Sequence, residues 1–241
     1  MPIISPFKRL LPLGGKGGVS MSAGEAAIRA GNTVAWYDYT DTTTLTDVGG
    51  GVISRWNDKL GSGHDLLQAN NAKRPLLTAE GVTGAGGDDY MEATFTLVQP
   101  EFIYCVGKWV TYVEYSPLFS GSTGDGYVYQ RYARSGGNEQ LRAGASLDSA
   151  TNASLAENTF GIIRLLLNGA SSKLIINNTA ATTWNCGASN MGGVTIFSMW
   201  ALGYYANAVI KELIVRNKSD SAGDEVAIYN YLAAKYGFAT I

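Results

Sequence analysis

Histidine and cysteine, on which many catalytic and zinc sites depend, are scarce in this sequence. Its 241 residues contain one histidine, His64, and two cysteines, Cys105 and Cys186. A Ser-His-Asp or Cys-His arrangement would have to use His64, which stands in the turn-like stretch Gly63-His64-Asp65. A zinc site needs three or four histidine or cysteine ligands. The sequence therefore argues against both chemistries and predicts that His64 is a polar turn residue.

The two cysteines also make a disulfide-rich secreted scaffold a poor description of the chain. Cys105 lies in an apolar run at 102–106, which predicts a buried thiol. A Cys105–Cys186 disulfide stays open at this stage, because sequence alone does not establish the pairing.

Charge is scarce too. Charged residues make up 16% of the chain and the formal net charge is −2, so the clustered lysine and arginine of a nucleic-acid-binding surface are missing. No apolar run approaches the roughly 20 residues of a membrane span. The basic pair Lys8-Arg9 is followed by too short an apolar stretch for a signal peptide. We expect no nucleic-acid partner, no membrane span and no signal peptide.

Turn residues and short apolar runs are abundant in place of these features. Glycine occurs 30 times and hydrophobic residues make up 46% of the chain. Runs rich in valine, isoleucine, threonine and aromatics alternate with clusters of glycine, asparagine, aspartate and serine, a pattern typical of sandwiches and barrels. Candidate strands lie at 34–39, 52–56, 90–97, 102–115, 127–134, 140–145, 159–167, 173–176, 194–201 and 209–216.

The two ends of the chain differ from this middle part. Residues 1–31 read as an N-terminal arm, flexible or docking, in which Lys8, Arg9 and Lys16 are candidate assembly contacts. Residues 32–241 form the predicted domain. A C-terminal helix at about 221–236 is indicated by a cap signal in its first turn, an apolar stripe at helical spacing and a glycine stop.

Several segments, in this order, resemble the opening and ending of bacterial and phage concanavalin A-like (laminin-G-like) domains. They lie at 34–38, 42–45, 52–59, 63–66, 74–76, 87–91, 210–217 and 231–237. The resemblance implies an all-β, two-sheet antiparallel jelly-roll sandwich with a short C-terminal helix and an extended N-terminal arm. The fold hosts lectins, glycanases, adhesins and capsid or fibre parts, so it leaves function open.

Calcium is the metal that the resemblance suggests, since lectins of this fold hold it with loop carboxylates and carbonyls. Asp88, Asp89, Asp125 and Asp148 all stand in loop-like settings. They form no dense ligand string, and the aromatic and acidic residues that family members carry before the paired aspartates are missing. Asp88 and Asp89 are thus weak candidates for a structural calcium site, and no other cofactor is expected.

Glycoside hydrolysis is the enzymatic alternative, because it needs two carboxylates facing each other across a cleft. The Glu-x-Asp-x-x-Glu strand motif of related retaining glucanases is absent. The nearest pair is Asp88 and Glu92, which would share a face of one strand. We therefore expect no catalytic residues and no enzyme.

Exposed aromatics are the remaining candidates for a binding site, because sugars stack on tryptophan and tyrosine. Tyr127, Tyr129 and Arg131 share one face of a predicted strand, and Trp184-Asn185 lies in a loop-like stretch. Packing between subunits is the alternative use of these residues. Trp36, Trp56, Trp109 and Trp200 sit in apolar runs and are expected in the core.

These observations predict a non-enzymatic structural or binding module, a phage virion component such as a fibre, decoration or tail protein. It would form a homo-oligomer, with a trimer favoured, contact other virion proteins through its arm and bind host-surface glycan. The alternative is a lectin-like module of an extracellular bacterial surface protein.

Overall fold

The computed structural model describes residues 21–113, 115–123, 126–131, 140–144, 150–153, 155–199 and 203–241. These residues form two antiparallel β-sheets, of eight and nine strands, and two α-helices. The predicted two-sheet antiparallel β-sandwich with a short C-terminal helix is confirmed.

The eight-stranded sheet, called sheet A, has its two longest strands side by side at its centre. Its order is β15 (Thr182–Trp184), β14 (Ser172–Ile176), β13 (Gly161–Leu167), β8 (Glu101–Trp109), β17 (Asn207–Arg216), β6 (Gly81–Ala85) and β5 (Leu76–Thr78), and β1 (Thr33–Asp38) also pairs with β17.

The nine-stranded sheet, called sheet B, is built mostly from shorter strands. Its order is β12 (Ala150–Ala153), β11 (Gln140–Gly144), β10 (Tyr127–Arg131), β9 (Pro117–Ser120), β16 (Gly193–Ile196), β7 (Met91–Thr94), β4 (Leu66–Leu67), β3 (Ile53–Trp56) and β2 (Leu45–Asp47). Two short 3-10 helices, at Thr42–Thr44 and Asn71–Lys73, lie in the connections.

Sheet A is buried on both faces, which explains the continuous apolar runs of its central strands. Along β8, Ile103 and Cys105 face the core shared with sheet B, whereas Phe102 and Tyr104 belong to a second core under the helices. Cys105 and Cys186 are both buried, and both are free thiols. Three of the four tryptophans expected in the core are fully buried there, namely Trp36, Trp56 and Trp109.

Two helices cover the outer face of sheet A. In α2 (Ala222–Tyr236) the Ser221 hydroxyl accepts a hydrogen bond from the Asp224 amide at 3.1 Å, and Gly237 ends the helix in a left-handed conformation. This helix buries Leu232 and Ala233 against the sheet. The predicted C-terminal helix is confirmed, and its cap and its stop are the residues expected to form them.

The other helix, α1 (Ala23–Arg29), packs against α2 and begins at the cap Ser22, whose hydroxyl accepts a hydrogen bond from the Glu25 amide at 3.1 Å. Lys8, Arg9 and Lys16 of the predicted arm, like Trp200, lie outside the described residues. No helix in the described part of the chain has the length and hydrophobicity that crossing a membrane would require.

Candidate functional site

A pocket of about 390 Å³ lies over strands β4 and β7 of sheet B. Its lining comes from the loop that leads into β4, from β4 itself and from β7 with the residue before it, at 63–65, 67–69, 90 and 92–94. The volume is within the range of small-molecule sites. Two carboxylates, the single histidine and a tyrosine line it, so the pocket combines apolar surface with titratable groups.

Asp65 is the more firmly held of the two carboxylates. Its Oδ2 accepts hydrogen bonds from the Arg55 guanidinium, through Nε at 3.0 Å and through Nη2, and its Oδ1 accepts the Asp58 amide at 2.8 Å. Arg55 lies opposite Leu67 in the β3–β4 pair. The arginine therefore balances the Asp65 charge at the wall of the pocket.

Glu92 provides the second carboxylate, from β7. It lies opposite Leu67 on one side and Thr195 on the other, and its side chain is half-buried. In the described part of the chain no hydrogen bond or ion pair reaches this carboxylate, so it remains available to a ligand.

His64 borders the pocket in a fixed orientation. Its ring stacks on Phe95 with centroids 4.2 Å apart, and Nδ1 lies 2.6 Å from the Val34 carbonyl oxygen. A carbonyl oxygen only accepts hydrogen bonds, so Nδ1 carries the proton and Nε2 is the acceptor nitrogen of the neutral ring. The prediction of a polar turn residue is correct as to location, but the ring is also packed and hydrogen-bonded.

The Gln68 side chain, which also lines the pocket, is held by two hydrogen bonds. Its Nε2 donates to the Tyr90 carbonyl at 3.0 Å, and its Oε1 accepts the Asn70 amide at 3.0 Å. Both ends of the amide are therefore used within the protein. Leu67, a half-exposed lining residue, offers an apolar surface and lies opposite Glu92 in the β4–β7 pair.

The carboxylate pair suggested by the sequence is not the pair that the fold brings together. Asp88 lies before the first residue of β7, is about half exposed and pairs with Lys73 at 3.5 Å, and it does not line the pocket. Asp65 lines the pocket with Glu92 instead. Sequence reasoning missed Asp65 and His64, although both stand in the segment at 63–66 that carries part of the family resemblance.

The two aspartates proposed for calcium sit in a turn. The Asp89 carboxylate accepts a hydrogen bond from the Ala85 amide at 2.8 Å, and burial raises the pKa of Asp89. Among the described residues no group of three or more histidine, cysteine, aspartate or glutamate side chains is placed to hold a metal ion. Asp125 and Asp148 lie outside the described residues.

The aromatic candidates lie away from the pocket and on different sheets. Tyr127 begins β10 in sheet B, whereas Trp184 ends β15 in sheet A, is half-buried and packs against the core. Asn185 accepts a hydrogen bond from the Gly187 amide at 3.0 Å. The side chains of Tyr129 and Arg131 lie outside the described ones. Ligand binding by these residues stays a prediction.

The chain resembles known proteins in structure but matches none of the compared sequences. No protein-family profile and no curated protein sequence matches the chain. A GH54 α-L-arabinofuranosidase soaked with a cyclic sulfate inhibitor superposes with a TM-score of 0.66 at 12% identity, over 89% of this chain and 65% of that one. A Trypanosoma rangeli sialidase in complex with 2,3-difluorosialic acid superposes with a TM-score of 0.57 at 12% identity, over 95% and 36%.

The same sialidase with sialic acid superposes with a TM-score of 0.55 at 11% identity, over 86% of this chain and 34% of the sialidase. The chain thus spans about a third of the length of the sialidases that it matches. At such identities the likeness shows a shared β-sandwich fold.

These matches overturn the expectation of a non-enzymatic virion component. The sialidase and the arabinofuranosidase are glycoside hydrolases. None of the comparisons places the chain in a phage particle. The expectation was wrong because it used the missing Glu-x-Asp-x-x-Glu motif as evidence against a carbohydrate-active enzyme. A motif on one strand says nothing about carboxylates from separate segments, and Asp65, from the loop before β4, lines the same pocket as Glu92, from β7.

Proposed function

We propose that this chain is a carbohydrate-active β-sandwich domain that cleaves a glycosidic bond in the pocket over β4 and β7. The observation that carries the proposal is the presence of two carboxylates, Asp65 and Glu92, in one pocket. The fold shared with glycoside hydrolases supports it, as does the resemblance of the sequence to concanavalin A-like domains, which include glycanases.

The strand register supports a spacing suited to this chemistry. Leu67 lies opposite Glu92, and Asp65 precedes Leu67 by two residues, so Asp65 is a diagonal neighbour of Glu92. Diagonal neighbours on two antiparallel strands lie about 7–8 Å apart, with their Cβ atoms somewhat closer. Inverting glycosidases keep their carboxyl groups about 6.5–9.5 Å apart to admit a water molecule. We propose the inverting course, in which a water molecule attacks between the two carboxylates.

The different surroundings of the two carboxylates suggest their roles. Glu92 has no cation beside it in the described part of the chain and would act as the general acid, donating its proton to the leaving oxygen. Asp65, held by Arg55, would take a proton from the water that attacks the anomeric carbon. The glycosidic C–O bond breaks as the bond to the water oxygen forms, and Asp65 receives the proton.

A panel of 4-nitrophenyl glycosides, including arabinofuranosides, xylosides, galactosides and sialosides, tests the proposal. We expect release of 4-nitrophenol from at least one substrate, with kcat/KM reduced by about 100-fold or more in Glu92→Gln. Glu25→Gln is the matched control, because Glu25 lies outside the pocket and pairs with the partly exposed Arg29 on α1, a surface pair that contributes about 1 kcal/mol or less.

Melting temperatures of both variants should match the starting protein, which separates lost chemistry from lost fold. If Glu92→Gln hydrolysed a substrate as fast as the control variant, the proposal would be wrong. It would also be wrong if no glycoside in the panel were hydrolysed.

A further inference from the structure

Four tyrosines lie in a row that starts at the pocket and crosses one end of sheet B. They are Tyr90, Tyr205, Tyr204 and Tyr115, called here the tyrosine platform. We infer that a glycan chain leaves the pocket over this platform, so that the substrate is an oligosaccharide or polysaccharide segment rather than a single terminal sugar. The inference rests on the proposed function, because it assumes that a glycan occupies the pocket.

The register of sheet B places the four tyrosines at the same end of three neighbouring strands. Tyr90 comes directly before β7, and Tyr115 comes two residues before β9. Strand β16 lies between these strands and pairs antiparallel with both, so they begin at the end of the sheet where β16 finishes. Just after β16, Ser198 forms an isolated bridge with Tyr205. This bridge brings Tyr205 and its neighbour Tyr204 to the same end.

Ring contacts connect the platform to the pocket. Tyr90 lines the pocket, and its ring centroid lies 6.5 Å from that of Tyr205. Tyr204 is next along the chain, and its ring meets Tyr115 edge-on with centroids 5.6 Å apart. The Tyr204 side chain is 48% exposed. A glycan that leaves the pocket beside Tyr90 therefore meets further aromatic surface.

The size of the pocket favours a ligand that continues outside it. Its volume of about 390 Å³ is near the lower end of the range of about 300–1,000 Å³ for small-molecule sites, so the rest of a longer glycan has to lie on the neighbouring surface. Tyrosine suits this use, because its ring offers a flat apolar face and its hydroxyl both donates and accepts hydrogen bonds.

The backbone at Tyr115 gives an independent argument. Its φ is 67°, in the left-handed region that bulky side chains rarely adopt. Glycine would adopt this conformation without strain. Residues held in such conformations cluster at sites that bind ligands. A binding role for the ring explains why a tyrosine stands at this position.

The experiment measures hydrolysis of xylo-, galacto- and arabino-oligosaccharides as a function of chain length, with chromatographic separation of the products. We expect kcat/KM of the unmodified chain to rise from disaccharide to hexasaccharide. Tyr204→Ala should lower kcat/KM on the hexasaccharide by about fivefold or more and leave the disaccharide value unchanged. Tyr204→Phe keeps the ring and should retain most of the gain with length.

Two further variants separate binding from packing. Tyr115→Gly should also lower kcat/KM on the hexasaccharide, while its melting temperature changes little, because relief of the left-handed backbone offsets the lost ring contact. Leu76→Ala is the control, since it removes a 41% exposed apolar side chain from sheet A and should leave the dependence on chain length unchanged.

The outcomes distinguish this inference from the proposed function. Equal kcat/KM on short and long chains, or an unchanged hexasaccharide value in Tyr204→Ala, would overturn the platform and leave the pocket chemistry standing. A lower melting temperature of Tyr115→Gly with unchanged hexasaccharide hydrolysis would show that this ring only packs, and would also overturn the inference. Hydrolysis of no chain in any series would overturn both.

Discussion

Asp38 and Glu212 lie opposite each other in the β1–β17 pair, and the Lys235 ammonium is 2.7 Å from a carboxylate oxygen of each. Both carboxylates are buried, and Lys235 comes from α2. Although burial alone would raise it, hydrogen bonds from Lys235 and Lys59 hold the pKa of Asp38 below its ordinary value. Burial raises the pKa of Glu212. The ammonium therefore ties the C-terminal helix to sheet A through two buried charges.

Lys235→Met should destabilise the fold by about 3 kcal/mol, because removing one partner leaves buried charge uncompensated. Urea unfolding followed by tryptophan fluorescence measures the change. Lys73→Met is the control, since Lys73 pairs with the half-exposed Asp88 and such a surface pair contributes about 1 kcal/mol or less. Equal losses in the two variants would show that the buried network does not stabilise the protein.

Glu101, the first residue of β8, makes the stability of the protein depend on pH. Burial raises the pKa of Glu101 from 4.5 to about 8, although its Oε1 accepts the Met191 amide at 2.9 Å. Between these two values the folded state holds a proton that the unfolded state has released. The free energy of unfolding should therefore fall as pH rises through this window, by up to about 1.4 kcal/mol per pH unit from this group.

Glu101→Gln should remove this contribution, because glutamine mimics the protonated acid. We expect the variant to be more stable than the unmodified chain at pH 9 and to differ little from it at pH 5. Urea unfolding at several pH values tests this, and parallel pH profiles for the two proteins would contradict it.

Substitution by alanine should have opposite effects at two glycines of the helix pair. A Cβ on Gly24 would lie 2.3 Å from the Ala227 carbonyl oxygen and 2.4 Å from the Tyr231 Cβ, whereas a Cβ on Gly223 would have no neighbour closer than 3.9 Å. Gly24→Ala should therefore destabilise the protein by about 1–3 kcal/mol through overpacking between α1 and α2.

Gly223→Ala should instead stabilise the protein by up to about 1 kcal/mol, because alanine favours the helix and has room here. Thermal unfolding of the two variants measures both effects. Stabilisation by both substitutions would mean that α1 does not pack tightly on α2.

The imidazole signals in an NMR spectrum can be assigned to His64 directly, because it is the only histidine in the sequence. Its Nδ1 donates to the Val34 carbonyl, so the neutral ring should be the Nδ1–H tautomer. Long-range proton–nitrogen correlation spectra above pH 8 distinguish the two tautomers directly. A predominance of Nε2–H would contradict the hydrogen bond from Nδ1 to the Val34 carbonyl oxygen.

The fold could be predicted from the strands that carry long apolar runs, such as β8, β13 and β17. Strand β6 was missed, because its glycines read as turn signals. Gly84 does not form a turn. Glycine is needed at this position because a Cβ would come within 2.7 Å of the Phe197 ring. Such a close approach between sheets is a tertiary effect that local sequence does not reveal.

The candidate site could not be predicted for a related reason. Asp65 and Glu92 line one pocket because β4 pairs with β7, and β4 has just two residues, Leu66 and Leu67. So short a strand has no alternation for sequence analysis to detect. The sequence offered Asp88 as a partner for Glu92 because the two are close along the chain, but the strand starts after Asp88.

Titration of the nitrogen-labelled chain with a neutral oligosaccharide that it binds, followed by amide chemical shifts, tests most directly whether the glycan enters the pocket over β4 and β7. We expect the largest shifts at residues 63–69 and 90–94 and no movement of the Trp184 indole signal. Shifts centred on Trp184, Asn185 and Tyr127, with residues 63–69 and 90–94 unaffected, would contradict it.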